Sequence, residues 1–164
     1  MSLLRPIFLV LALVLLAPAA FAQSTSVAFG TIRQNPDAPV EVSADALSVD
    51  QETGTAVFTG NVLIGQGEMR LSAAKVLVVY KTGNTGIERL EATGGVTLVS
   101  GPDAAEAQRA DYDIDQGSIL MSGDVLLTQG INALTAERMT VNLRDGTAQM
   151  NGRVKTILQP NQKN

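Results

Sequence analysis

The 164-residue chain contains no cysteine, no histidine and no tryptophan, and only 4% of it is aromatic. Without histidine and cysteine, the commonest general base, the thiol nucleophile and most zinc sites are excluded. Disulfides are excluded as well, so an exported fold of this composition rests on its core alone. A surplus of positive charge is also missing: 12 Lys and Arg stand among 16 Asp and Glu, for a net charge of -4. Nucleic-acid binders present a basic face to the phosphate backbone, and here neither sign of charge is concentrated. Phosphate loops are absent too, because "GQGEMRL" at 65 to 71 has neither a third glycine nor a Lys-Ser/Thr ending. No nucleic acid, no cofactor, no metal and no catalytic residue is therefore expected.

A long apolar run occurs in one place, the N-terminus. Arg5 precedes "IFLVLALVLLA" at 7 to 17, and Ala20-Phe21-Ala22 has the small-x-small form, which predicts a cleavable signal peptide over 1–22 and a mature chain from Gln23. Eleven helical residues span roughly 16 Å against a hydrocarbon core of about 30 Å, so a retained anchor is the poorer reading. The missing cysteine also removes the thiol that a lipid anchor needs. Periplasmic export follows as the expectation, with a flexible N-terminal segment over 23–37, one β domain over 38–160 and a tail over 161–164.

What is present is repetition. Units begin at Ala44, Ala74, Ala107 and Ala136, and each reaches a glycine followed two places later by valine: Gly60 and Val62, Gly94 and Val96, Gly123 and Val125, Gly152 and Val154. The interval from alanine to that glycine is 16 residues in three units and 20 in the second. The same three units place another glycine ten residues after the alanine, at Gly54, Gly117 and Gly146. Between these marks apolar residues alternate, as in Leu47 and Val49, Ala56 and Phe58, Ile119 and Met121, Val125 and Leu127. Period two is the signature of strands with one buried face. Each unit thus reads as strand, glycine turn, strand, turn, strand. "ETG", "DQG" and "RDG" supply hairpin glycines, and "YKTGNTGIE" reads as the same hairpin four residues longer. The stretch "PDAAEAQRAD" at 102 to 111 has helix formers in series and reads as a connection entering a strand at Ala107.

Units this small bury their apolar faces only by stacking, which predicts an all-β jelly roll or solenoid-like sandwich with an open strand edge at each end. Edge strands are expected around Val40 to Ala44 at one end and Arg153 to Leu158 at the other. Asp111, Asp113 and Asp115 alternate onto one face, but a calcium loop would need glycine and a carboxylate where Gln116 and Ser122 stand. A solvated face is the reading adopted for them, which also weakens a carbohydrate-acting solenoid enzyme.

The signal segment, "APVEVSADALSVD" at 38 to 50, "AVFTGNVLIGQGEMRLSAAKVLVVY" at 56 to 80 and "AERMTVNLRDGTAQMNGRVKTILQP" at 136 to 160 together resemble the LptA/OstA-like periplasmic proteins of lipopolysaccharide transport. The "FTGNV" segment and the "A-x-K" after it carry the likeness best. The resemblance implies an OstA-like β-jelly roll of stacked antiparallel strands, built from about four repeat units around a hydrophobic groove for the acyl chains of lipopolysaccharide (lipid A). It also implies head-to-tail self-association into a bridge, with an LptC-like inner-membrane protein at one end and an LptD-like outer-membrane protein at the other. Val40, Val42, Leu98, Tyr112 and Ile114 match groove-lining positions by resemblance, and the repeat pattern adds Phe58 and Ile64. The alternative is an adaptor module with a closed interior that joins proteins by edge-strand pairing.

Overall fold

Alternation at period two becomes strands wherever both halves of a hairpin can bury the same face. The computed structural model describes residues 25–30, 37–83 and 85–158. They form β1 (Thr25–Ala28), β2 (Glu41–Ser43), β3 (Ala46–Asp50), β4 (Thr55–Gln66), β5 (Met69–Tyr80), β6 (Ile87–Ser100), β7 (Asp103–Asp113), β8 (Ser118–Gln129), β9 (Asn132–Asn142), β10 (Thr147–Asn151) and β11 (Lys155–Ile157). The expected signal peptide over 1–22 and the expected tail over 161–164 lie outside the described residues.

All pairings are antiparallel, and the order β1-β10-β9-β8-β7-β6-β5-β4-β2 follows the chain from β4 to β10. The two ends branch. At one, β4 pairs β3 along Thr55–Thr59 and β2 along Leu63–Gly65; at the other, β9 pairs β10 along Arg138–Asn142 and β11 along Ala133–Thr135. Branching occurs because the long strands are bent. Their register shifts between Thr59 and Val62, Thr93 and Val96, Glu106 and Arg109, and Ser122 and Val125, in line across the sheet.

Those bends are the repeated glycines. Gly94 and Gly95 have φ of 86° and 84°, Gly123 and Asp124 of 85° and 49°, so two consecutive residues take the left-handed conformation and the strand turns out of its plane. The glycine-x-valine mark expected to be a turn between strands is therefore, in β4, β6 and β8, a corner inside one strand. In the fourth unit it separates β10 from β11. Both a turn and a corner demand positive φ, which is why the sequence reads alike for either. The hairpin glycines Gly54, Gly117 and Gly146 do sit in turns with positive φ.

Folding along the line of corners gives two layers, A and B. Layer A holds β3, β10, β1 and the adjoining halves of the long strands; layer B holds β2, β11 and the other halves. Their inner faces merge into one buried cluster in which Met69, Met121, Met139 and Met150 are wholly buried. A direct tie between layers is the hydroxyl of Tyr112 on β7, which donates to Oε1 of Gln66 at the end of β4.

Two further expectations differ from the structure. The stretch at 102 to 111 is strand from Asp103 onward, because pairing on both sides outweighs the weak β propensity of alanine, glutamate and arginine. Residues 25–28, expected within a flexible segment, pair with β10 from Thr25 opposite Met150 to Ala28 opposite Thr147. Phe29 follows them into the core at 2% exposure.

The corners make a prediction about stability. A Cβ on Gly94 would lie 2.8 Å from the Cβ of Ala74, whereas one on Gly54 meets nothing within 4 Å. Gly54→Ala should cost about 1 kcal/mol from left-handed strain alone, and Gly94→Ala about 2–4 kcal/mol because overpacking is added. Urea unfolding midpoints of the two variants, compared with the parent, measure the difference.

Candidate functional site

Corners set the phase of every inward side chain. Apolar residues four apart, such as Phe58 and Val62 or Met121 and Val125, stay on the inner face across a bend because the two-residue corner preserves the alternation. Across layer B the cross-strand partners form one continuous row: Val42, Ile64, Leu71, Leu98, Ala105, Leu127 and Leu134. At about 4.8 Å per strand the row is roughly 30 Å long. No charged side chain interrupts it.

Of the residues expected to line the groove, Val42, Ile64 and Leu98 share this row. Tyr112 belongs to the facing layer, as does Phe58, which lies two residues before the β4 corner. Ile64, Leu98 and Tyr112 are buried to 1% exposure or less, whereas Val40, Val42, Phe58 and Ile114 are half-buried against the core. The centre of the interior is thus filled by the protein's own side chains. Ile114 follows β7 at the rim, its amide donating to the carbonyl of Glu88 at 3.2 Å.

The apolar interior reaches the surface at its ends. On β3, Leu47 lies opposite Phe58 and Val49 opposite Ala56, so both face inward, yet they are 56% and 60% exposed. They are edge residues with no layer covering them. A cleft of about 500 Å³ lined by Val49, Asp50, Gln51, Gly54, Thr55 and Tyr80 opens at Val49, and a second of about 540 Å³ lies along β2 against Val42, Leu63 and Arg70. At the opposite end Leu158, just past β11, is 68% exposed. Sequence reasoning recognised the alternation of Leu47 and Val49 without marking them as a site. The available signal was their place in the first unit, which no earlier unit covers.

Of the residues expected in edge strands, Val40 and Ala44 flank β2, and Leu158 follows β11. Arg153 occupies the last corner, at φ 44°, with its Nε 2.7 Å from Oε1 of Glu137.

Where the layers part, the rim is fastened by polar groups. The amide of Gln66, besides accepting from Tyr112, donates to the carbonyl of Ala38 at 2.9 Å. Asp103 accepts from the amide of Gly30 at 2.7 Å and from Nε2 of Gln129 at 2.9 Å. Burial pushes the Tyr112 hydroxyl above its ordinary pKa, partly opposed by the bond to Gln66.

The outer face carries the charge. Arg109 holds Asp111 at 2.6 Å and Glu91 at 3.1 Å, and Lys81 holds Asp115 at 2.6 Å. Arg109 is held above its usual range by Asp111 first and Glu91 second. Asp111, Asp113 and Asp115 do not converge, and among the described residues no three acids gather as metal ligands do.

Residues 41–147 match the sequence profile of the LptA/(LptD N-terminal domain) LPS transport protein family. An uncharacterised protein of Rhizobium meliloti (strain 1021) is 32% identical over 116 residues, covering 66% of this chain and 62% of that protein. The lipopolysaccharide export system protein LptA of Escherichia coli (strain K12) is 26% identical over 94 residues, 54% of this chain and 51% of that protein. The chain thus spans between half and two thirds of the length of these curated relatives. Among solved structures, LptH of Pseudomonas aeruginosa, described as the LptA homologous periplasmic component of a lipopolysaccharide transport device, superposes with a TM-score of 0.68. It is 18% identical, and the match covers 77% of this chain and 99% of that one.

The tie between the layers can be tested on its own. Tyr112→Phe leaves the buried Gln66 carbonyl without this donor and should cost about 1–2 kcal/mol at neutral pH, read from urea unfolding. Because the folded-state pKa of Tyr112 is raised, its neutral form stabilises the fold fully below about pH 10, the unfolded value, and this is lost as pH climbs through the folded value. The parent should therefore lose stability in alkali more steeply than Tyr112→Phe.

Proposed function

Because the chain belongs to the LptA/(LptD N-terminal domain) LPS transport protein family, we propose that it is a periplasmic carrier that shields lipid A acyl chains between its two layers. The observation that carries this is the uncharged row from Val42 to Leu134, which crosses the sheet and ends near inward apolar side chains that water already reaches. Such a row suits a ligand that is long, apolar and variable in length. Affinity comes from burial: at about 0.8 kcal/mol per methylene, an acyl chain of roughly a dozen carbons contributes on the order of 10 kcal/mol when covered. Exposed ion pairs with phosphate add about 0–1 kcal/mol each.

The filled centre defines how a chain enters. Layers A and B must separate, which breaks the Tyr112 to Gln66 bond at a net cost of about 1 kcal/mol and repacks the interior. Methionine and small residues suit that repacking, since an unbranched thioether adapts to a changing neighbour. Val42 and Phe58, half-buried near one end, are the first contacts, and Leu98 is reached only after the layers part. In this reading the carrier stacks head to tail, its β2 and β3 end meeting the β11 end of the next copy. An LptC-like inner-membrane protein and an LptD-like outer-membrane protein take the two termini of the bridge.

The burial of Ile64, Leu98 and Tyr112 also favours a second reading, an adaptor module that pairs edge strands and carries no lipid. Photo-crosslinking residues separate the two. Placed at Val42, Phe58 or Leu98 in cells, they should yield lipopolysaccharide adducts, stronger at Phe58 than at outward-facing Thr140. Absence of adducts at all three positions in folded protein would overturn the carrier and leave the adaptor.

A further inference from the structure

The two ends of the molecule differ by one strand. At the N-terminal end, β4 is bordered by the five residues of β3 in layer A and the three of β2 in layer B. At the other, β9 is bordered by the five residues of β10 and the three of β11. The ends would match strand for strand, but β1 is added to β10. This strand belongs to none of the four repeat units.

Direction and facing are informative. Antiparallel pairing alternates without a break from β3 through β10 to β1, so β1 runs in the same sense as β3. A second copy stacked head to tail would bring its β3 to the edge of β10 in the orientation that β1 now has. Val27 of β1, opposite Ala148, faces inward as Leu47 and Val49 do on β3. Those two side chains are more than half exposed and would be covered at that edge.

The hold on β1 is local. It pairs through four residues, and the next two along the chain secure it: buried Phe29, whose amide donates to the carbonyl of Gly146 at 2.9 Å, and Gly30, whose amide donates to Asp103. Gln129 bridges the same carboxylate to the carbonyl of Ala28 at 2.6 Å. Short edge strands of this kind are exchangeable, because an incoming strand replaces every backbone hydrogen bond that the outgoing one gives up.

We propose that β1 is a detachable cap standing in for β3 of a second copy, so that head-to-tail addition at the β10 end requires its release. The inference rests on the stacking part of the proposed function. Capping protects the β10 edge from unplanned pairing, and the competent fraction of the chain sets the apparent affinity between copies.

The absence of native cysteine permits a clean test. Ser26 and Gln149 are exposed register partners, and Ser26→Cys with Gln149→Cys locks the cap when oxidised. Sedimentation velocity of protein purified after export should show the oxidised variant remaining monomeric at concentrations where the reduced variant and the parent assemble. Phe29→Ala, checked for folding by thermal melting, should assemble at about tenfold lower concentration than the parent. Equal assembly of oxidised and reduced protein overturns the cap, and so does a folded Phe29→Ala chain that assembles no more readily than the parent. Crosslinking to lipopolysaccharide at Val42, Phe58 and Leu98 reports separately on the carrier: adducts without gated assembly sink the cap alone, and gated assembly with no adduct at any of the three sinks the carrier alone.

Discussion

A strand that passes through two consecutive left-handed residues cannot continue in its own plane. That constraint organises the molecule. In β4, β6 and β8 the pair falls at the same height, so the bends line up across neighbouring strands and fold one sheet into two facing layers. At Gly94 the space for a side chain is already taken by Ala74, and at Gly123 by Gln108. Glycine there answers two demands at once, positive φ and close approach of the neighbouring strand. Because each layer is made of halves of the same strands, neither can form without the other, and the interior is defined as soon as the hairpins stack.

The interior that results is a set of rows running along the stack and perpendicular to the strands. In the row from Ile64 to Leu134 the first three units contribute two residues each and Val42 precedes them, so an apolar sequence pattern repeated along the chain becomes an apolar path through the fold. Such a path has no natural boundary, and it stops only where the units stop. This is why Leu47 and Val49 remain exposed although they face inward. A sandwich with closing loops would have covered them, whereas a stack presents its cross-section at each end.

Alternation made the strands readable, and spacing made the units readable. Ile64 followed from the repeat pattern, because strand parity determines the face, whereas Val42 and Leu98 were expected by resemblance, and their common row with Ile64 is a matter of strand register. Parity does not determine depth. Leu98 and Phe58 look equivalent as inward apolar residues, yet one sits mid-row and the other near an end, and only the assembled sheet distinguishes them. Corners were mistaken for turns because a glycine with positive φ serves both, and the difference lies in whether the next strand continues or reverses. Strand β1 escaped notice because "TSVA" is too short for a period, and its place is decided by β10, more than a hundred residues away. The β7 stretch from Asp103 was obscured by residues that favour helix in isolation, a local preference that two neighbouring strands override.

For the proposed carrier, filling and function set opposing requirements on such an interior. A row that holds a long apolar ligand in one fixed cavity would favour one chain length and retain it, whereas passage along a series of units requires neighbouring positions to hold the ligand with similar free energy. Side chains that close over the row by themselves lower the net gain at every position, because each methylene of ligand displaces protein contacts rather than water alone. Four wholly buried methionines and a row of Val, Ile, Leu and Ala would make this displacement gradual, where packed aromatic rings would resist it. Low aromatic content fits the same requirement as the filled centre: an interior serving the proposed carrier is stable when closed on itself and only moderately more stable when occupied, so that what enters at one end can also leave at the other.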